Sequence, residues 1–161
     1  MGTLDFVNLI LYDYYPTTGA HAQFNANNDH TRSSKSGIAS WTNAGVTANK
    51  LILGIPLFGK KWTLLDENKN GIGAPVVSYD GVVPYNNIPG ADSGTYDSST
   101  ISQYLADGTS WFGYDGARSI KEKIKYSKSN NLICGYFLYA LGDDDSQGHT
   151  LSQAAFKAWD N

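Results

Sequence analysis

The stretch Leu51–Leu57 reads LILGIPL, and its apolar residues follow one another almost without interruption. A strand that is covered on one face alternates apolar and polar residues, whereas a strand buried in a parallel sheet is apolar on both faces. Two more stretches have this character, Leu4–Asp13 (LDFVNLILYD) and Leu132–Leu141 (LICGYFLYAL). The sequence therefore predicts three buried parallel strands.

Helical patterns lie between and after these strands. The predicted helices begin at Ser36, at Ser119 and at Thr150, and the first ends at Gly45. The second and third each open on a capping box, in which Ser or Thr is followed three residues later by Glu or Gln. Their apolar faces are formed by Ile38, Trp41 and Ala44, by Ile120 and Ile124, and by Leu151, Ala154, Ala155 and Trp159. Alternation of strands and helices indicates an α/β fold.

The spacing of the strands is uneven. The first and second are about one βα unit apart, near the ~30 residues of a barrel unit, and the second and third are separated by roughly twice that length. The excess lies in Phe58–Gly116, which is rich in Gly and Asp, contains short β-prone pieces, and has a predicted short helix near Thr100–Ala106. We expect a small α+β insertion there, which divides the chain into residues 1–57, 58–116 and 117–161.

Three parallel strands cannot close a barrel, and they would leave unpaired sheet edges. The helix that follows the third strand has the character of a closing element at the end of the chain. We therefore expect the missing strands to lie upstream.

Composition excludes several classes of function. The 161 residues carry a formal net charge of −3 and no basic block, which argues against a nucleic-acid partner. No apolar run approaches the ~20 residues that cross a bilayer, and the opening MGTLDF lacks the features of a signal peptide. The single Cys134 is expected to be a buried structural residue. The 11 Tyr, 6 Phe and 4 Trp suit a sugar-binding cleft or an aromatic core equally well.

Four segments follow one another along the chain: FVNLILYDYY, LILGIPLFGKKWTL, WFGYDGARSIKEKIKYSK and GYFLYALGDDD. Together they resemble the family 18 glycoside hydrolases, the chitinases and chitinase-like lectins. The resemblance implies the last three strands of a TIM (β/α)8 barrel with a small α+β insertion domain. It also implies a cleft for chitin or chitooligosaccharides and an extracellular location. We expect the N-terminal remainder of the barrel as a partner, and we expect no cofactor.

The predicted substrate-binding residues are Tyr12, Asp13, Tyr139 and Asp115. Barrel enzymes place their sites at the carboxyl ends of the strands, where the first three would meet. The resemblance implies that Tyr12 hydrogen-bonds the acetamido group of the sugar and that Asp13 contacts the neighbouring sugar. Tyr139 stands where the family has a Trp, a departure that reduces the stacking area. Each residue has an alternative role: core packing for Tyr12 and Tyr139, capping for Asp13, and a turn for Asp115.

Metal binding is weakly supported. Asp143, Asp145, Gln147 and Gly148 imitate the start of a calcium loop, but its twelfth position is Ala154, so the bidentate Glu is absent. The residues His21, His30 and His149 have no zinc-ligand spacing. We predict no metal site.

The general acid of the resembled family is missing. That acid ends a DxxDxDxE run, and the only glutamates here are Glu67 and Glu122, neither in such a run. Family members use the acetamido oxygen of the substrate as nucleophile and need the acid as proton donor. We therefore expect this chain alone to be inactive, within a parent protein that is a retaining hydrolase. The alternatives are a non-catalytic chitin-binding protein on the same barrel and a self-contained α/β module.

Overall fold

The computed structural model describes residues 3–14, 18–26 and 32–160. Three helices and eight strands are present in these ranges, together with four short 3-10 turns. The helices are α1 (Ser34–Asn43), α2 (Ala117–Ser129) and α3 (Thr150–Asp160). The strands are β1 (Val7–Leu9), β2 (Leu51–Pro56), β3 (Phe58–Leu64), β4 (Val76–Pro84), β5 (Thr95–Asp97), β6 (Ser102–Asp107), β7 (Ser110–Tyr114) and β8 (Gly135–Tyr139).

The three predicted strands form one parallel sheet in the order β1-β2-β8. This part of the prediction is confirmed, although β1 and β8 are shorter than the apolar runs that contain them. On one face of the sheet, alternate residues of β2 are buried against the helices, where Ile38, Ile120 and Leu151 belong to the same core. Strand β2 supplies Leu51, Leu53 and Ile55 to this core because side chains two apart share a face.

Among the described residues, apolar side chains that flank β1 on the side away from this core are exposed. Leu9 is 1% exposed, whereas the adjacent Ile10 is 66% exposed. Leu4 and Phe6 lie at the same parity as Ile10 and are also exposed. Parallel sheets are found almost only with both faces covered, so this apolar face is unusual for a complete domain.

The second sheet has a different construction. It is antiparallel, runs in the order β4-β3-β7-β6-β5, and lies within residues 58–114. Only Leu57 separates β2 from β3, so a single residue connects the two sheets at this point. Trp62 and Trp111 are fully buried across β3 and β7 and form a separate core with Leu64. The division of the chain into three domains stays a prediction.

The predicted helix at Thr100–Ala106 is wrong. Residues Ser102–Asp107 form β6, which pairs with β7 through a two-residue turn at Gly108, whose φ is +55°. The ring of Tyr104 stacks on Trp111 at a centroid distance of 5.7 Å. These cross-strand contacts override the local helical pattern, so the described part of residues 58–116 holds strands and 3-10 turns but no α-helix.

The helix starts also needed correction. Helix α1 begins two residues before the predicted Ser36 because Ser33 caps it, with the Ser36 amide donating to Ser33 Oγ at 3.1 Å. Helix α2 begins at Ala117 after Gly116, so Ser119 lies inside the helix and is not its cap.

Helix α3 begins at Thr150 as predicted, but its cap comes from aspartates instead of Thr150. The amides of Leu151 and Ser152 donate to Asp144 at 3.1 and 2.9 Å, and the Thr150 amide donates to Asp145 at 2.7 Å. Cys134 is half-buried, where full burial was expected.

The two faces of the parallel sheet can be compared at adjacent residues. In this chain Leu9→Ala should lower the free energy of unfolding by about 2–5 kcal/mol because it leaves a cavity in the core. Ile10→Ala should change it by no more than ~0.5 kcal/mol because the side chain is exposed. Urea denaturation of both variants measures this difference; equal losses would mean that Ile10 is covered.

Candidate active site at the carboxyl ends of the parallel strands

Parallel pairing brings the ends of β1 and β8 to the same edge of the sheet. Tyr139 is the last residue of β8 and pairs with Pro56, the last residue of β2. Tyr12 and Asp13 follow β1 at the same edge. Burial is the first cause that raises the pKa of the Tyr12 phenol, and the nearby Asp13 and Tyr139 raise it further. The structure thus brings together three of the four predicted site residues.

Tyr12 is buried by residues from two other segments. Its ring meets Phe58 edge-on at a centroid distance of 5.7 Å, and both pack with Ala22. Phe58 opens β3, and Ala22 lies in the segment 18–26. The position of Tyr12 therefore depends on contacts far apart in the sequence.

Asp13 is a half-exposed carboxylate, 48% accessible, held between two basic side chains. Lys60 Nζ lies 2.8 Å from Asp13 Oδ1, and His21 Nδ1 lies 3.6 Å from the same oxygen. The contact with His21 and then the Lys60 ammonium lower the pKa of Asp13 from 3.8 to about 2, against the opposing effect of partial burial. Asp13 is thus a fixed negative charge at neutral pH, able to accept hydrogen bonds from hydroxyl or amide groups.

Tyr139 is 58% exposed at the open edge, and its ring is free to present a flat apolar surface. A second half-exposed aromatic lies near Asp13 on the other sheet. Tyr79 of β4 stands opposite Trp62 in the register of β3 and β4, with ring centroids 5.5 Å apart. Burial first, and the charge of Asp13 second, raise the pKa of Tyr79. Lys60 and Trp62 are two apart on β3, so their side chains lie on the same face of the strand. Lys60 contacts Asp13 from this face.

The fourth predicted residue, Asp115, is placed elsewhere. Its side chain has no exposed surface and forms an ion pair with Lys123, 2.5 Å from Nζ to Oδ2. Ser119 Oγ also donates to its Oδ1 at 3.0 Å. A carboxylate buried in this way has no surface with which to contact a ligand directly, and its partners make it part of an interior ion pair between β7 and α2.

Sequence reasoning missed three residues around Asp13. Phe58 and Lys60 carried a usable signal, since they alternate along β3 directly after the β2 run. His21 carried none, because its contact with Asp13 depends on the path of the segment 18–26. Among the described residues neither ring nitrogen of His21 has a hydrogen-bond partner, although the ring is buried beside Phe58 at a centroid distance of 5.4 Å.

No metal ligands converge in the described ranges, where no group of three or more His, Cys, Asp or Glu is placed to hold an ion. Asp143 lies in a 3-10 turn, and Asp145 helps to cap α3. His30 falls outside the described residues. Within the same ranges no helix combines the length and apolar character that crossing a membrane requires.

Glu122 accepts a hydrogen bond from Tyr96 at 2.6 Å and pairs with Arg118 at 3.0 Å.

A parallel sheet with helices on one face, and with aromatic and charged side chains together at its carboxyl edge, defines the class of protein: an α/β protein with a candidate site where barrel enzymes place theirs. The family model of Glycosyl hydrolases family 18 matches residues 1–144. The chain belongs to this family, which confirms the resemblance found in the sequence.

Individual relatives and solved structures support the same family assignment. The class V chitinase CHIT5 of Lotus japonicus is 38% identical over 97% of this chain. A GH18 chitinase mutant from Cycas revoluta, solved in complex with (GlcNAc)4, has a TM-score of 0.88 and 33% identity over 97% of this chain. A chitinase-like agglutinin from Robinia pseudoacacia has a TM-score of 0.83 and 34% identity over 97% of this chain. The chain spans 42% of the Lotus protein and 47% of each of these two structures.

The charge on Asp13 makes a testable contribution to stability. Because its folded pKa of about 2 lies below the ordinary 3.8, its stabilising effect is complete above pH 3.8 and disappears as the pH falls through 2. Asp13→Asn should therefore lower the Tm near pH 6, and this effect should shrink and disappear as the pH falls through 2. In a Lys60→Met background the loss at pH 6 should shrink. A Tm difference that does not vary with pH would contradict this account.

Proposed function

We propose that this chain is the C-terminal part of a family 18 barrel and supplies part of a cleft for β-1,4-linked N-acetylglucosamine oligomers. The observation that carries the proposal is the meeting of Tyr12, Asp13 and Tyr139 at one sheet edge, with Lys60 holding Asp13 charged. The (GlcNAc)4 bound by the Cycas chitinase mutant supports the choice of ligand.

Each of the three side chains suits one feature of such a sugar. The Asp13 carboxylate is a strong acceptor for a hydroxyl or an acetamido N–H, since hydrogen bonds to charged groups are the stronger ones. The Tyr12 phenol is a donor in a nearly water-free position, where a hydrogen bond to an acetamido oxygen has little competition. The exposed Tyr139 ring offers a face on which the apolar side of a pyranose ring can stack.

The apolar side chains exposed beside β1 support the view that more of a barrel covers this face of the sheet. Leu4, Phe6 and Ile10 are exposed apolar side chains, and relatives of about twice this length share the fold. On this proposal the remaining strands pack on that face, and the antiparallel sheet of residues 58–114 is an insertion between barrel strands. An extracellular location, implied by the resemblance, belongs to the same proposal.

Hydrolysis is proposed for the intact protein and not for this chain alone. In the proposed reaction the acetamido oxygen of the substrate attacks the anomeric carbon while a glutamic acid protonates the departing glycosidic oxygen. That acid is proposed to lie in the remainder of the barrel, because Glu122 is engaged with Tyr96 and Arg118, and Glu67 lies on the loop between β3 and β4. The part of this chain is to bind and orient the acetamido group.

A non-catalytic binding protein is the second candidate. It is favoured by the likeness to the Robinia agglutinin and by Tyr139 in place of the family's Trp. The two candidates separate on one assay: the longer protein releases sugar from a chitobioside if it is an enzyme, and binds the same compound without turnover if it is a lectin-like protein.

Binding by the longer protein tests the roles of the two tyrosines. Tyr12→Phe should weaken chitotetraose binding several-fold, because a lost hydrogen bond costs about 0.5–1.5 kcal/mol. Tyr139→Trp should tighten it, since the larger ring buries more of the sugar at ~25 cal/mol per Å2. Calorimetry measures both changes. Tyr126→Phe, on an exposed Tyr of α2, is the matched control and should bind like the wild type. Unchanged affinity in Tyr12→Phe, with a fold destabilised by Tyr139→Trp, would mean that both rings are core packing.

A further inference from the structure

Lys123 is a buried cation in the middle of α2, 2% exposed. Its Nζ lies 2.5 and 2.6 Å from the two carboxylate oxygens of Asp115 and 2.6 Å from the backbone oxygen of Ala22. An ammonium group has three donors, so all of them are used here. Burial lowers the pKa of Lys123, and the ion pair with Asp115 opposes that effect.

These contacts join three separate parts of the chain. Asp115 directly follows β7, Lys123 belongs to α2, and Ala22 lies 101 residues before Lys123 in the segment 18–26. Because the donor is charged and the site excludes water, the bond to the Ala22 carbonyl is stronger than an ordinary backbone contact. Lys123 therefore fixes the segment 18–26 against the rest of the fold.

Ala22 stands next to the candidate site. Its side chain packs with Tyr12 and Phe58 in one buried cluster. The preceding residue, His21, lies 3.6 Å from the Asp13 carboxylate and packs on the Phe58 ring. A displacement of Ala22 would thus move supports of both Tyr12 and Asp13.

We propose that Lys123 is a positioning residue for the cleft: through the Ala22 carbonyl it holds Ala22 beneath Tyr12 and His21 beside Asp13. Asp115 is then the counter-ion that makes a buried cation tolerable. The functional importance of this device rests on the proposed sugar-binding role of Tyr12 and Asp13. Its geometric part, the dependence of Asp13 on Lys123, does not.

A purely structural role must be separated from a positioning role. Lys123→Met alone would leave a buried carboxylate without a partner, which is strongly destabilising. The double variant Lys123→Met/Asp115→Asn removes both charges together and also removes the donor to Ala22. Asp115→Asn alone keeps that donor but deprives the buried Lys123 of its counter-ion, so this variant is also less stable than the wild type and is compared in its folded state. The contrast between these two variants therefore isolates the bond from Lys123 to Ala22.

The measurement is a 13C NMR titration of the Asp13 carboxyl group in the folded 161-residue chain. In the double variant we expect the pKa of Asp13 to rise from about 2 towards its ordinary 3.8, because His21 is no longer held beside it. Asp115→Asn should remain closer to the wild type. Lys125→Met, which removes an exposed cation two residues along the same helix, is the control and should leave the titration unchanged.

The outcomes are distinguishable. A folded double variant with a lower Tm and an unchanged Asp13 pKa would overturn the proposal and make the pair merely structural. If the Asp13 pKa rises but no form of the chain or of the longer protein binds chitotetraose, the positioning role stands and the proposed function fails. If the double variant does not fold, Lys123→Arg replaces it. The guanidinium still supplies a positive charge to pair with Asp115, and its longer, planar group should displace Ala22. An unchanged Asp13 titration in that variant would also overturn the proposal, and a raised pKa would support it.

Discussion

The parallel pairing of β1, β2 and β8 is the constraint on which the rest of the structure depends. Strand β2 lies between the other two strands, and its alternate residues Leu51, Leu53 and Ile55 share one core with residues of all three helices. The same pairing brings the carboxyl ends of β1 and β8 to one edge, and with them Tyr12, Asp13 and Tyr139. One hydrogen-bonding pattern thus accounts for the core and for the position of the candidate site.

The second sheet completes the site because β3 follows β2 almost directly. Phe58 and Lys60, two apart on β3, reach Tyr12 and Asp13, so the antiparallel sheet contributes both an apolar support and a charge. The segment 18–26 adds His21 and Ala22 from the other side and is itself held by Lys123. The site therefore lies where three parts of the chain meet: the ends of the parallel strands, strand β3 and the segment 18–26.

Local patterns in the sequence predicted what local physics determines. The continuous apolar runs predicted the three strands, and the stripe of Ile120 and Ile124 predicted α2. Strand β6 was missed because its stability comes from pairing with β7 and from the stacking of Tyr104 on Trp111. Three site residues were predicted from strand ends and the family resemblance, and their roles remain proposals. The contacts of His21 with Asp13 and of Lys123 with Ala22 depend on the path of the segment 18–26, so no spacing or periodicity could have indicated them.

The most direct test of the central claim is a single NMR titration of the 15N-labelled chain with chitotetraose. The claim is that this chain holds part of a sugar-binding cleft and lacks the acid that hydrolysis needs. It predicts shift changes concentrated at Asp13, Lys60 and Tyr139, while the anomeric signals of the sugar show no cleavage. Shift changes confined to the surfaces of α2 and α3, or cleavage that persists after Tyr12→Phe and Asp13→Asn, would contradict it.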